Sequence, residues 1–277
     1  MTVGAAQIRI SEGGRPKADL TDLARLNQVF TELTAEQRIR YALDHFAGPQ
    51  ILKSSFGAQS AVSLHLLTQQ QPDMPVVLID TGYLFDETYQ FIETLQSRLG
   101  LNLVIYRSEK SPAWQEALYG QRWLQGLDGL DAYNYDNKVE PMQRALQDLN
   151  VATWFSGVRR IQSSSRVNTP FVQFNGDYYK VAPLADWHDK HVFDYLKAHD
   201  LPYHPLWEKG YVSIGDVHTT RSLNQVESLE QTRFFGLKRE CGLHKTDGFA
   251  GVPRGHQRYA PSGPALAICE SRRPRKL

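Results

Sequence analysis

The stretch "KRECGLHK", Lys238 to Lys245, sets Cys241 between Arg239 and His244, in a chain with only two cysteines among 277 residues. The thiolate is the nucleophilic form of cysteine, and neighbouring cations favour it. The spacing therefore suits a thiol that attacks an electrophile, with Arg239 and His244 placed to stabilise the thiolate or departing oxyanions. Gly242 adds backbone freedom on the far side. A free cysteine is usually a small buried apolar residue, but the polar neighbours of Cys241 argue against that use. Cys269, in a Gly/Pro-rich tail, reads as an incidental thiol.

Three further stretches offer groups for an anion. "SSFGAQS" (54–60) supplies the hydroxyls of Ser54, Ser55 and Ser60, with Gly57 allowing close backbone approach. A helix beginning there would aim free N–H groups and a positive dipole end at a phosphate or sulfate. The Gly-Lys-Ser/Thr of a Walker loop is missing. "LIDTGYLFDET" (78–88) places Asp80, Thr81 and Gly82 after an apolar run. An aspartic protease needs two such carboxylates on an all-β frame, so that reading fails. Asp80 suits hydrogen bonds from a ribose or base, whereas Asp86 reads as a helix cap.

The third, "SGVRRIQSSSRVNTP" (156–170), brings Arg159, Arg160 and Arg166 together with Ser163 and its serine neighbours. Guanidinium forks match phosphate or sulfate oxygens in pairs. "HTTR" adds His218 and Arg221 as donors. "HDKH" (188–191) offers two histidines three apart, too few ligands for a zinc site, so no metal is expected.

These stretches need a frame that gathers them. Apolar runs at 50–55, 75–80, 101–107 and 151–157 read as strands, and amphipathic segments at 35–47, 58–70, 86–99, 112–119, 140–149 and 190–199 as helices. Thr34 and Gln37 offer a capping box, and Gly100 a helix stop. "FVQFNGDYYKVAPL" reads as a hairpin turning at NGD. Strands alternating with helices imply an α/β fold, a mostly parallel twisted sheet with helices on both faces. Ligands bind such sheets at the carboxyl ends of the strands, where the Ser/Gly and Asp-Thr-Gly loops fall. The expected organisation is a flexible segment 1–20, a nucleotide-binding domain 21–225 and a C-terminal segment 226–277 that carries Cys241 on a mobile stretch.

Composition narrows the function. The chain is 41% hydrophobic and 22% charged with net charge +1, an ordinary soluble globular balance with no global field for DNA or an anionic membrane. Arg/Ser stretches also bind nucleic acid, but the neutral balance and lack of a recognition-helix motif disfavour that partner. No secretory signal or apolar run of membrane-spanning length is seen. Two cysteines supply neither a disulfide framework nor the four ligands of an iron–sulfur cluster, so a reducing cytoplasm is the expected setting.

In order along the chain, "SSFGAQSAVSLHL", "IDTGYLFDET", "SGVRRIQSSSR", "YHPLWEKGYVSIGDVHTTR" and "TRFFGLKRECGLH" resemble the assimilatory phosphoadenylyl sulfate (PAPS) reductases, over about residues 43–244. The resemblance implies an adenine nucleotide alpha hydrolase-like, Rossmann-like fold and reduction of 3′-phosphoadenosine 5′-phosphosulfate to sulfite. It also implies thioredoxin or glutaredoxin as the external electron donor, no bound cofactor, and a homodimer. Reducing sulfur(VI) needs two electrons, and no flavin, haem or cluster signature is present. Two thiol exchanges through an S-sulfocysteine on Cys241 would supply them.

Three departures qualify the resemblance. Gln59 stands where related ATP pyrophosphatases carry a metal-binding Asp, which argues against magnesium-dependent ATP cleavage. The Cys-Cys and Cys-x-x-Cys pairs of cluster-containing adenylyl sulfate (APS) reductases are absent. About 33 residues follow His244, with no motif. The alternatives are a cluster-free APS reductase, a nucleotide-binding redox sensor and an ATP pyrophosphatase-type adenylyltransferase.

Overall fold

A computed structural model describes residues 20–238. Arg239, Cys241 and His244 lie outside the described residues, as do the first 19.

Helix α1 (Leu20–Glu32) is followed by α2 (Ala35–His45). The capping box forms as the sequence indicates: Thr34 accepts from the Gln37 N–H, and the Gln37 side chain accepts from the Thr34 N–H. Then come β1 (Gln50–Lys53), α3 (Ser60–Thr68), β2 (Pro75–Ile79), α4 (Asp86–Leu99) and β3 (Asn102–Tyr106). Gly100 closes α4 at φ +63°, a left-handed position natural to glycine. Phe85, not Asp86, is the N-cap of α4; Asp86 sits in the first turn, where its charge still suits the helix dipole.

Helices α5 (Pro112–Tyr119), α6 (Gly126–Asn134) and α7 (Glu140–Asp148) follow, the last two joined by one wider π turn, Tyr135–Val139. Strand β4 (Thr153–Ser156), the hairpin β5 (Val172–Phe174) and β6 (Tyr179–Val181), and α8 (Asp189–Ala198) complete the frame. The sequence reading lacked α1, α6 and the π turn.

The six strands lie in the order β3-β2-β1-β4-β6-β5. All neighbours are parallel except β5 and β6, which pair antiparallel as a hairpin. Its turn carries Gly176 at φ +82° and the Asn175 N–H on the Tyr178 carbonyl at 3.0 Å. β5 is an edge strand whose backbone is partly covered: Asn27 of α1 accepts from the Val172 N–H at 3.0 Å and donates to its carbonyl at 2.8 Å.

Alternate residues of each strand feed two cores. Leu52, Val76, Leu78 and Phe155 pack with α2, α3, α4 and α8. Ile51, Val77, Ile79 and Trp154 pack with Met142, Ala145 and Leu146 of α7. Both faces are thus covered, which is why the strands read as continuous apolar runs rather than alternating ones. Among the described residues no helix is long and apolar enough to cross a membrane.

Candidate active site

The strand order reverses between β1 and β4, and a cleft of about 410 Å³ opens there at the carboxyl ends of the strands. Loops after β1, β2 and β4 form its walls, joined by residues 212–216 and by Leu229, Arg233 and Phe234.

In the loop after β1, Ser54 is buried and holds the turn. Its N–H reaches the Val77 carbonyl at 3.1 Å and its hydroxyl accepts from the Phe56 N–H at 3.1 Å. Phe56, its ring fully buried, takes the left-handed conformation (φ +48°) that the motif would lead one to expect at glycine. Ser55, Gly57 and Ser60 line the cleft. A Cβ on Gly57 would meet no atom closer than 3.8 Å, so the fold itself does not demand glycine there. The missing side chain leaves room on the ligand side. Ser60 opens α3, and its buried hydroxyl oxygen has no protein partner among the described residues.

The Asp-Thr-Gly loop divides its work. Asp80 is 5% exposed and does not line the cleft. Its Oδ1 accepts from the Gly82 N–H at 2.9 Å and the Tyr89 hydroxyl at 2.8 Å, and its Oδ2 from Arg107 Nε at 2.8 Å. These bonds anchor the loop to α4 and to the end of β3. Gly82 has φ +74°, and a Cβ there would strike Pro112 Cγ at 2.6 Å. Thr81 faces the cleft and donates to Asp216 Oδ1 at 2.7 Å.

Leaving β4, successive arginines point apart, as extended backbone requires. Arg159 is buried in the cleft wall, bonded to the Gln59 amide oxygen, to Asp189 at 3.0 Å and to the Trp187 carbonyl. Gln59, where the related loops have a carboxylate, therefore accepts from a guanidinium. Arg160 turns away, donating to the Thr169 carbonyl and stacking on Phe171 at 4.5 Å. Arg166 lines the cleft and is steadied by Gln162; Ser163 bonds Ser165 and does not line it.

Neither His218 nor Arg221 lines the cleft. His218 stacks on Trp123 at 3.7 Å, with Tyr83 and Tyr133 edge-on, and burial lowers its pKa to about 4. Arg221 donates to the His218 and Thr220 carbonyls and lies over Phe235.

The sequence reading missed five charged cleft residues: Lys53, Lys138, Asp189, Asp216 and Arg233. Lys138 and Asp216 pair at 2.5 Å, with side chains 9% and 1% exposed. Burial raises the Asp216 pKa, but Lys138 and Thr81 more than offset this, and the net shift is downward. Arg233 lies against Gly215, whose lack of a Cβ makes room for the guanidinium. The available signal was position: "NKVEP" and "TRFF" put single cations within apolar or helical runs. Among the described residues no three His, Cys, Asp or Glu gather as a metal site.

Residues 49–222 match the family model described as "Phosphoadenosine phosphosulfate reductase domain". A protein of Xanthomonas campestris pv. campestris (strain B100), named phosphoadenosine 5′-phosphosulfate reductase, is 60% identical over 228 residues, covering 82% of this chain and 94% of its own. The crystal structure of phosphoadenylyl-sulfate (PAPS) reductase from Candida auris, a phosphate complex, superposes with a TM-score of 0.66 at 26% identity, covering 75% of this chain and all of the other. Candida glabrata FMN adenylyltransferase shares the fold at a TM-score of 0.52 and 16% identity, covering 74% of this chain and 73% of its own.

Proposed function

The chain belongs to the phosphoadenosine phosphosulfate reductase family, and we propose from that premise that it reduces PAPS to sulfite, releasing adenosine 3′,5′-bisphosphate, with Cys241 as the nucleophile. The observation that carries this reading is the charge of the cleft. Lys53, Lys138, Arg159, Arg166 and Arg233 line it together with the N-terminus of α3. Its two lining carboxylates, Asp189 and Asp216, are each paired with one of those cations. Such a wall suits a polyanionic nucleotide and leaves no spare carboxylate among the described lining residues to hold magnesium for ATP cleavage.

The Cys241 thiolate attacks the sulfur of the sulfo group. The bond from that sulfur to the bridging phosphate oxygen breaks, and its electron pair leaves on the 5′-phosphate of adenosine 3′,5′-bisphosphate. The cysteine now bears the sulfo group. A thiolate of an external dithiol protein, of thioredoxin or glutaredoxin type, then attacks Cys241 Sγ. The sulfur–sulfur bond breaks toward the sulfo group, which departs as sulfite with the pair; sulfur(VI) has become sulfur(IV). The donor's second thiolate resolves the mixed disulfide, frees Cys241 and leaves the donor oxidised.

Two features support the assignment of the thiol. Phe234 lines the cleft, and Lys238 pairs with Asp131 of α6. Cys241 is only the third residue after Lys238, about 10 Å of extended chain. The reading includes residues 226–277 as the segment presenting the thiol, Arg239 and His244 as its stabilisers, a cytoplasmic setting and a homodimer.

The test is Cys241→Ser. The variant should bind adenosine 3′,5′-bisphosphate as the unaltered chain does but release no sulfite, and the unaltered chain mixed with PAPS without a dithiol should gain one sulfo group on Cys241 by mass spectrometry. Full sulfite release by the variant would sink the reading.

A further inference from the structure

Thr81, Tyr133, Lys138 and Asp216 form one bonded group at the floor of the cleft. Asp216 gathers them: Oδ1 accepts the Thr81 hydroxyl at 2.7 Å, while Oδ2 accepts the Tyr133 hydroxyl at 3.0 Å and Lys138 Nζ at 2.5 Å. The ammonium is also flanked by two ring faces, Tyr133 at 5.5 Å and Phe234 at 5.2 Å. Tyr133 comes from α6, Lys138 from the π turn and Thr81 from the loop after β2. Phe234 begins the stretch that leads to Cys241. One carboxylate therefore ties the loop, the helix and the cation together at the floor of the cleft.

Stability alone is a poor account of this arrangement. Burying an ammonium and a carboxylate incurs a desolvation penalty that their mutual attraction often only matches, and apolar replacements are frequently as stable. A lysine is a point charge on a flexible stem and would sample several positions without a fixed partner. The Lys138–Asp216 pair lines the cleft rather than lying beneath it.

We propose that Asp216 is a positioning residue, which holds the Lys138 ammonium in place to meet the negative charge that builds on the phosphate oxygen as the sulfo group leaves for Cys241. The inference rests on the reductase reading above. A cation fixed in advance stabilises that charge without reorganising during the reaction, which is how preorganised donors accelerate group transfer. Asp216 touches no reacting atom in this scheme and acts only through Lys138.

The test measures single-turnover S-sulfonation of Cys241 in the full chain, alongside the Tm, for Asp216→Asn, Lys138→Gln and the double variant. Each single substitution leaves one buried charge unpaired, so both should lower the Tm; the double, with neither charge, should recover most of it. The rates should behave differently. Each single should slow S-sulfonation about 100-fold, a loss typical of a displaced electrostatic donor. The double should be no more than about threefold slower than Lys138→Gln, because Asp216 then has nothing to act through. If Asp216→Asn does not fold, the comparison of Lys138→Gln with the double still decides.

Three results would overturn the proposal. In one, the double variant recovers its rate along with its Tm, as a purely structural pair would. In another, the two losses multiply, so that Asp216 acts apart from Lys138. In the third, Asp216→Asn reacts within about threefold of the unaltered chain. Failure of the unaltered chain to form the adduct would instead reject the reductase reading itself, and the role of Asp216 with it.

Discussion

Asp80 offers a clean division between holding a loop and holding a ligand. Its motif position suggests hydrogen bonds to a ribose or base, yet its two oxygens accept from three donors of the protein: Gly82 N–H, Tyr89 hydroxyl and Arg107 Nε. Replacing it with alanine leaves the Gly82 and Tyr89 groups without their acceptor. Hydrogen bonds to a charged group contribute about 1.5–3 kcal/mol each. The Arg107 pair adds less, because the arginine side chain is 64% exposed and screened by solvent. Asp80→Ala should therefore lower unfolding free energy by about 3–6 kcal/mol. Asp80→Asn keeps an Oδ1 acceptor for Gly82 and Tyr89 but makes both bonds neutral and turns an Nδ2 donor toward Arg107, so a smaller loss of about 2 kcal/mol is expected. Urea unfolding gives both values, and calorimetric titration with adenosine 3′,5′-bisphosphate gives the affinity of the folded fraction. The asparagine variant should bind within about threefold of the unaltered chain, since no ligand contact is removed. An alanine variant of undiminished stability that bound the nucleotide 100-fold more weakly would refute the anchoring argument.

Two more outcomes follow from the same geometry. His204 is buried, with Nδ1 accepting the Leu206 N–H at 3.1 Å and Nε2 facing the Thr88 hydroxyl at 2.9 Å, and burial lowers its pKa to about 4. The neutral imidazole is the folded form, so its stabilisation is fully present above the unfolded pKa of about 6.5 and is lost as pH falls toward 4, by up to roughly 3 kcal/mol. Urea unfolding between pH 7 and 4.5 with NMR titration of the ring would detect it; a His204 that titrates near 6.5 in the folded chain would contradict it. Gly215→Ala would place a Cβ 2.6 Å from Arg233 Cζ and push the guanidinium off its seat in the cleft wall. Because a flexible side-chain end can shift, the Tm should change little while KM for the nucleotide rises about tenfold; an unchanged KM would show that Arg233 makes no use of that seat.

How far the sequence discloses this molecule depends on the range of the forces involved. The strands were legible because both sheet faces are covered, making Ile51–Leu52 and Val76–Ile79 unbroken apolar runs. The start of α2 was legible because its Thr34–Gln37 cap is a bond across three residues. Helix α6 was not, since "GLDGLDAYN" holds two glycines and no cap; tertiary contacts from Leu130 and Tyr133 to Trp123 and Phe234 supply what local propensity lacks. In the site, Lys138 escaped notice because a lysine in a helical run is usually solvated. Its burial is created by Asp216, far along the chain. Arg159 and Arg160 look equivalent on paper; only the direction in which the chain leaves β4 sends one to the cleft and the other onto Phe171.

Both roles recur in every motif loop. Ser54, Asp80 and Gln162 make bonds that hold loop structure, and Ser54 and Gln162 line the cleft as well; Ser55, Thr81 and Arg166 are further motif residues that face it. Motif spacing cannot distinguish the two roles, because a loop needs both a frame and a working face. The frame extends to the approach to Cys241. Phe234, Phe235 and Gly236 are consecutive left-handed residues, at φ +49°, +58° and +78°. Two non-glycine residues in that region cost about 1–2 kcal/mol each. Burial of the Phe234 ring among Trp123, Leu130 and Tyr133 offsets this, as does the Arg221 guanidinium over Phe235. The turn is thus fixed by packing rather than by local preference, and Lys238, paired with Asp131, fixes the chain again two residues further on. On the proposed reading, in which Cys241 meets both a bound nucleotide and an outside dithiol, that residue follows three positions after a point the fold holds still.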